Sequence, residues 1–416
     1  MITADRTAIR RRLAIGRRTH GPPWSAHKTR HRSIVAPLAA LAATVALGAG
    51  VAIARAERDR RAARGHRLGL LAGEPPADGV QRMAVGQLDL VLELLARHDA
   101  GALDATTVHE MRKALKRFRA LLRLLRAELG EDAYSREDAV ARGAGRVLAG
   151  ARDAEVMRAT LEQLIARHPR KLGGHAGVER LRGRLTSERD DALVAALADR
   201  ASRAAVLGEL RECRARVIAW RLTRGCDTEV VEPGLLKLYG RGRARYRRAR
   251  RAKGGDSERM HAWRKRVKDL RYSAEALGPA PLPADAAARP GGGRGRPSKK
   301  SKGNGRRQRR AGEARESLER LARRADRLGE VLGEDHDLGV LDAWVAAQLA
   351  SGPGRPIGHR RARELRALIA RRRKKLQKRA LRDGERLFGH PPKRFVRRVA
   401  AAARSAAAPF GRRSAS

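Results

Sequence analysis

Cysteine is nearly absent from this chain. Across 416 residues only Cys213 and Cys226 occur, with no Cys-x-x-Cys pair and no zinc-finger spacing, which excludes a disulfide framework and a structural zinc site. Aromatic residues make up 3%. None is interleaved with basic residues in the pattern that stacks single-stranded bases, which argues against a base-stacking RNA module. Acids are scarce as well: 45 Asp and Glu stand against 94 Lys and Arg, for a formal net charge of +49. That excess attracts long polyanions of any kind and does not choose among them. No glycine-rich phosphate loop, acidic metal-binding cluster or nucleophile constellation is visible, so the chain reads as a binding protein rather than an enzyme, with no cofactor.

Long apolar runs are limited to one. After a basic tail over residues 1–32, residues 33–54 carry no charge and are bounded by Arg32 and Arg55. The run is long enough to cross a bilayer, so a single N-terminal membrane helix is expected. Basic residues balance on its two sides and leave the orientation open. The alternatives are an Ala-rich helix packed on the rest of the protein and a leader from an upstream translation start.

What the chain does have is a phrase used twice, 152 residues apart. His109, Arg112, Lys113, Lys116 and Arg119 share their spacing with His261, Arg264, Lys265, Lys268 and Arg271. At 100° per residue these side chains, with Arg123, fall on one side of a helix; Met111, Leu115, Phe118 and Leu122 fall on the other, as do Trp263, Val267 and Leu270 in the second copy. Each copy is a helix with a core face and a cationic rail. Asp104 and Asp256 precede the two helices as candidate N-caps, and Gly130 and Gly278 are placed to end them. A solvated face is the usual meaning of one such rail. Duplication of the spacing favours a shared surface for a polyanion.

A second pair of phrases follows in the same order. Leu148 to Val156 and Leu332 to Val340 align Asp153 with Asp337 and Arg152 with His336. His109 precedes Asp153 by 44 residues and His261 precedes Asp337 by 76, so the second copy carries 32 extra residues. Pro279 to Gly312, rich in Gly, Lys, Arg and Ser, supplies them and reads as a disordered basic insert that the fold can spare. Elsewhere Ala, Leu, Arg and Glu dominate with apolar residues three and four apart, which predicts helices throughout.

These paired helices, with Gly86-Gln-Leu-Asp-Leu before the first and Lys237-Leu-Tyr-Gly-Arg before the second, resemble the CHAD family, the conserved histidine α-helical domain. The resemblance runs from about Leu68 to Ala403. It implies an all-α fold of two pseudo-symmetric four-helix bundles, over about 80–205 and 235–403, around a basic groove that binds inorganic polyphosphate. It also implies a triphosphate-handling partner enzyme and a place at polyphosphate granules, in the cytoplasm or, through 33–54, at a membrane. A nucleic-acid or nucleoid-associated protein is the competing reading, because the net charge ensures salt-sensitive DNA binding.

The chemistry of the rails stands without the family. Phosphate oxygens only accept hydrogen bonds, so a phosphate chain needs donors in series. Arg supplies a planar fork and Lys a mobile point charge. His109 and His261 add a ring that a neighbouring phosphate would protonate, which predicts tighter binding near pH 6 than near pH 8. The surrounding cations disfavour a metal ion at these histidines. Asp153 and Asp337, with Arg152 and His336, read as groups that orient the rail residues. Arg241, Arg243 and Arg247 either extend the basic wall or are merely solvated.

Overall fold

The chain divides into residues 1–58 and 59–416. In the computed structural model the described residues are 68–407 without 72, 99–104, 148–149, 199, 223–227, 253–255, 279–298 and 351–355, and all belong to the second unit. The candidate span 33–54 lies outside them. Among the described residues no helix is long and apolar enough to cross a membrane.

The described residues are helical, without a strand. The first half comprises α1 (Pro76–His98), α2 (Ala105–Leu124), α3 (Arg126–Val147), α4 (Gly150–Arg167), the one-turn α5 (Pro169–Leu172), α6 (Ala176–Ala198) and α7 (Arg200–Ile218). The second comprises α8 (Glu232–Arg251), α9 (Ser257–Leu277), α10 (Lys299–Ala350), α11 (His359–Phe388) and α12 (Pro392–Ala407). Packing repeats between the halves. Helix α1 lies on α2 as α8 lies on α9, α4 on α6 as α10 on α11, and α1 and α3 on α7 as α8 and α10 on α12. In each half, then, α3 with α4, or the 52-residue α10, forms one arm of the bundle, and α6 with α7, or α11 with α12, forms another. The two rail helices, α2 and α9, pack directly on each other.

Each rail helix turns its apolar face inward as its periodicity requires. Met111, Phe118, Leu122, Trp263, Val267 and Leu270 are all fully buried. Beneath α9 the sparse aromatics gather: Tyr246 and Trp263 lie 5.3 Å apart, Tyr239 and Phe395 stack at 3.8 Å, and Phe388 sits between them. Tyr239 donates its hydroxyl to the carbonyl of Leu387 at 3.1 Å, so the ring is buried without an orphaned polar group. Cys213 is likewise a buried core residue; Cys226 lies outside the described residues.

The helix ends differ from the sequence reading in two places. Asp256 caps α9 as its position predicts, accepting from the backbone N–H groups of Glu258 and Arg259, and Gly278 closes it; Asp104 lies outside the described residues. Helix α2, however, stops at Leu124. Gly130 sits within α3 at φ 76°, where it kinks that helix instead of ending the rail. The second difference is the insert. Residues 299–312 are helical, the first turns of α10, where composition predicts disorder; 279–298 lie outside the described residues. The 184-residue offset that sets Asp153 against Asp337 places the start of α3 opposite Arg310, so α10 begins 11 residues early. Composition misreads this stretch because Gly and Ser lower helix propensity without forbidding a helix that continues a packed one.

Two glycines of α8 give opposite expectations. A Cβ at Gly242 would lie 2.5 Å from the buried Phe388 ring, whereas one at Gly240 meets nothing within 4 Å. Gly242→Ala is expected to destabilise by about 1–3 kcal/mol. Gly240→Ala is expected to stabilise by about 0.5–1 kcal/mol through helix propensity alone. Denaturant unfolding of the two variants checks the pair, and equal effects would show that α8 does not sit against Phe388 as described.

Candidate functional site

Because α2 and α9 pack side by side, their charged faces open onto one groove of about 800 Å³. His109, Arg112, Lys116, Arg119 and Arg123 line it from α2, and His261, Arg264, Lys265 and Lys268 from α9. Asp153 enters from α4, His336 and Asp337 from α10. Twelve of the residues singled out in the sequence thus meet in one place.

The others lie elsewhere. Lys113 turns aside to Glu110 at 3.4 Å. Arg271 is held by Glu275 at 2.7 Å and by Asp326, and it faces a neighbouring cavity of about 400 Å³ rather than the groove. Arg243 donates to the carbonyl of Phe388 at 3.1 Å and serves the packing of α8 on α11. Arg247 is exposed on α8 and does not line the groove. Arg241, also exposed, lies near enough to Arg266 to disfavour its charge. The side chain of Arg152 lies outside the described residues.

Inside the groove the two halves repeat an ion pair. Arg112 approaches Asp153 at 3.9 Å and Arg264 approaches Asp337 at 3.7 Å. The settings differ: Asp153 is 70% exposed and Asp337 28%. The wall built by α9 and α10 is the more closed one. There His261 and His336 stack with ring centroids 4.1 Å apart, and Nδ1 of His261 and Nε of Arg264 are buried without a hydrogen-bond partner.

Burial and crowding of like charge set the ionisation of this wall. Desolvation holds Arg264 below the usual guanidinium range against the opposing pull of Asp337, and desolvation, then Arg264 and Lys116, pushes Lys268 down to about 7. Lys116 belongs to α2, so the two rails are close enough to repel. His261 and His336 are pushed down to about 4, by burial first and then, for His261, by His336, Lys265, Arg264 and Lys268; Arg373 of α11 adds to the effect at His336. A phosphate beside His261 must therefore offset both burial and the neighbouring cations before the ring turns cationic near neutrality. The sequence reading counted the stabilising phosphate but not the desolvation and the surrounding cations. In the empty groove the ring is neutral at pH 6.

Carboxylates bind the groove floor together. Asp138 of α3 takes Arg119 at 2.7 Å, Arg142 at 3.2 Å and Arg123 at 3.6 Å. Arg123 also reaches Asp269 of α9 at 3.3 Å, which Arg266 approaches at 3.0 Å. Sequence reasoning missed Arg142, Arg266, Asp269 and Tyr272, all of which line the groove. Arg266 falls on the core side of the α9 wheel, outside the repeated rail spacing. Arg142 belongs to no repeated phrase and is found only through its i,i+4 carboxylate, Asp138.

The family model for the CHAD domain matches residues 86–290, from within α1 through α9. Over residues 86–290 the chain belongs to the CHAD family. The match takes in both rails; α10 to α12 lie beyond it and repeat the packing of the first half. No curated protein matches the chain. Among the described residues no group of three His, Cys, Asp or Glu side chains is placed to hold a metal ion.

The depressed histidines make an acid-sensitivity prediction. A His whose folded pKa lies below its unfolded value is more readily protonated when unfolded, so stability falls as pH drops from about 6.5 towards 4. The wild-type melting temperature is expected to fall across that window, and less so in His261→Gln/His336→Gln. NMR titration of both rings should give midpoints near 4; midpoints near 6.5 would contradict the closed wall.

Proposed function

We propose that this CHAD protein binds inorganic polyphosphate in the groove between α2 and α9 and leaves any covalent chemistry to a partner enzyme that handles triphosphate. The carrying observation is the convergence of two rails on one groove, with Lys116 facing Lys268 across it. Cations so placed repel one another unless an anion lies between them. A flexible phosphate chain offers closely spaced charges and acceptor oxygens that such a groove can follow, and Arg and Lys together grip it without one fixed register. Family membership supports the same reading at a coarser level, that of phosphate-polymer binding. Duplex DNA, which +49 would attract in any case, is too wide and stiff to bring its phosphates into the groove and is assigned to weaker, salt-sensitive binding outside it.

Tighter binding at pH 6 than at pH 8 is still expected, but Lys268 carries it. Its ammonium is partly deprotonated above about pH 7 in the empty groove, and a bound phosphate chain raises its pKa. Affinity is therefore level below pH 7 and falls above it.

The test compares variants on the same face. Lys116→Ala with Lys265→Ala is expected to weaken polyphosphate binding about tenfold or more, while Lys113→Ala, outside the groove, changes it little. Polyphosphate should displace DNA at physiological salt, and Lys268→Arg should flatten the pH dependence. Loss of affinity in Lys113→Ala equal to that in the groove variant, together with even competition by DNA, would favour the nucleic-acid reading.

A further inference from the structure

A second cationic cleft lies on another face of the molecule. Between α10 and α11 an open cavity of about 780 Å³ is lined by Arg324, Arg327, Arg379, Arg382 and Arg386, with Asp383 the one acid among them. It shares no lining residue with the groove between the rails.

Asp383 does not neutralise the cluster. It approaches only Arg379 and Arg386, at 3.7 and 3.9 Å, beyond hydrogen-bonding distance. Among the described residues Arg324, Arg327 and Arg382 have no carboxylate oxygen within 4.0 Å. Some exposed arginines elsewhere on these helices are paired. Arg320 pairs with Glu316 at 2.9 Å, Arg323 with Glu319 at 3.0 Å, and Arg366 with Asp342 at 2.8 Å. The two α10 arginines of the cluster are also not part of the duplication. The offset that aligns Asp153 with Asp337 sets Val140 and Gly143 opposite Arg324 and Arg327. Arg386, in the last turn of α11, has a helix-dipole reason to be there; the other four do not.

The lining limits the occupant. Every cation is an arginine, the side chain that offers two parallel donors to a pair of oxyanion oxygens. No aromatic or aliphatic side chain lines the cleft, so it offers no aromatic face for a nucleobase and no pocket for the apolar anchor of a peptide. From this convergence we propose that the cleft between α10 and α11 is a second anion site, for short condensed phosphates, separate from the groove between the rails. Its occupant is either a free oligophosphate or a further stretch of a polyphosphate strand already bound to the protein. Only the second source rests on the function proposed above.

Calorimetric titration of the full chain with tripolyphosphate tests the site. Lys116→Gln/Lys265→Gln serves as a background in which the groove is weakened. In that background tripolyphosphate binding is expected to persist, and adding Arg327→Gln, Arg382→Gln and Arg386→Gln should reduce it about tenfold or more. A control with the same charge change, Arg182→Gln/Arg184→Gln/Arg360→Gln, should leave it unchanged. An equal loss in the control, no loss in the cleft variant, or equal displacement by duplex DNA of matched charge would overturn the proposal. Long polyphosphate separates the sources: weaker binding in the cleft variant alone means that one strand runs into both sites, and unchanged binding means a free oligophosphate. A protein that binds tripolyphosphate in the cleft and nothing between the rails would refute the proposed function and leave this one standing.

Discussion

Two cationic helix faces held side by side repel each other, and much of the fold answers that repulsion. Behind α2 and α9 the answer is apolar: Phe118 and Leu122 on one helix, Trp263 and Leu270 on the other, fix the backbones so that the charged edges cannot rotate away. Between them the answer is a small set of acids. Asp138 gathers three arginines, Asp269 links Arg123 to Arg266, and Glu275 bridges Arg117 of α2 and Arg271 of α9. These carboxylates are buried or half-buried, where an ion pair is screened less than at the surface. Asp138 and Asp269 neutralise the floor of the groove, and Glu275 ties the two rail helices together beside it.

Duplication supplies the symmetry and burial breaks it. Arg112 with Asp153 and Arg264 with Asp337 are the same pair made twice, yet the second lies deeper, beside two stacked neutral histidines and a lysine that titrates near 7. The first wall is the more open to solvent, with Asp153 70% exposed. Under the proposed function Lys268 in the second wall takes up a proton as a phosphate chain enters, because an adjacent anion stabilises the ammonium that burial disfavours. Retention of the chain at that wall then depends on pH.

The helical fold and its duplication were legible because both rest on period. The 3.6-residue alternation that buries Met111 and Val267 is written in the sequence, and the identical spacing of two rails survives an insert. Asp256 announced a helix start by residue type alone. The ends were harder to read. Gly130 has the residue type of a helix stop, but whether α2 runs on to it depends on α8, whose Gly234 sits so close that a Cβ there would fall 2.1 Å from the carbonyl oxygen of Leu124. Wheel geometry placed His109, Lys116, Lys265 and Lys268 on the right face yet could not tell which members turn aside. Lys113 and Arg271 share that face and are drawn off by Glu110, Glu275 and Asp326. Ionisation was the least legible property. A histidine in a helix looks the same in sequence whether its ring is solvated or stacked on His336, a residue 75 positions away that reaches it only through α10.

The central claim is one of place: the phosphate chain lies between the two rails. Lysine footprinting reads this directly, by amine acetylation with and without saturating long polyphosphate, followed by mass spectrometry of each site. Protection of Lys116 and Lys265, with Lys171 and Lys393 still reactive, is the predicted result. Uniform protection of all four, or protection that spares Lys116 and Lys265, would contradict the account.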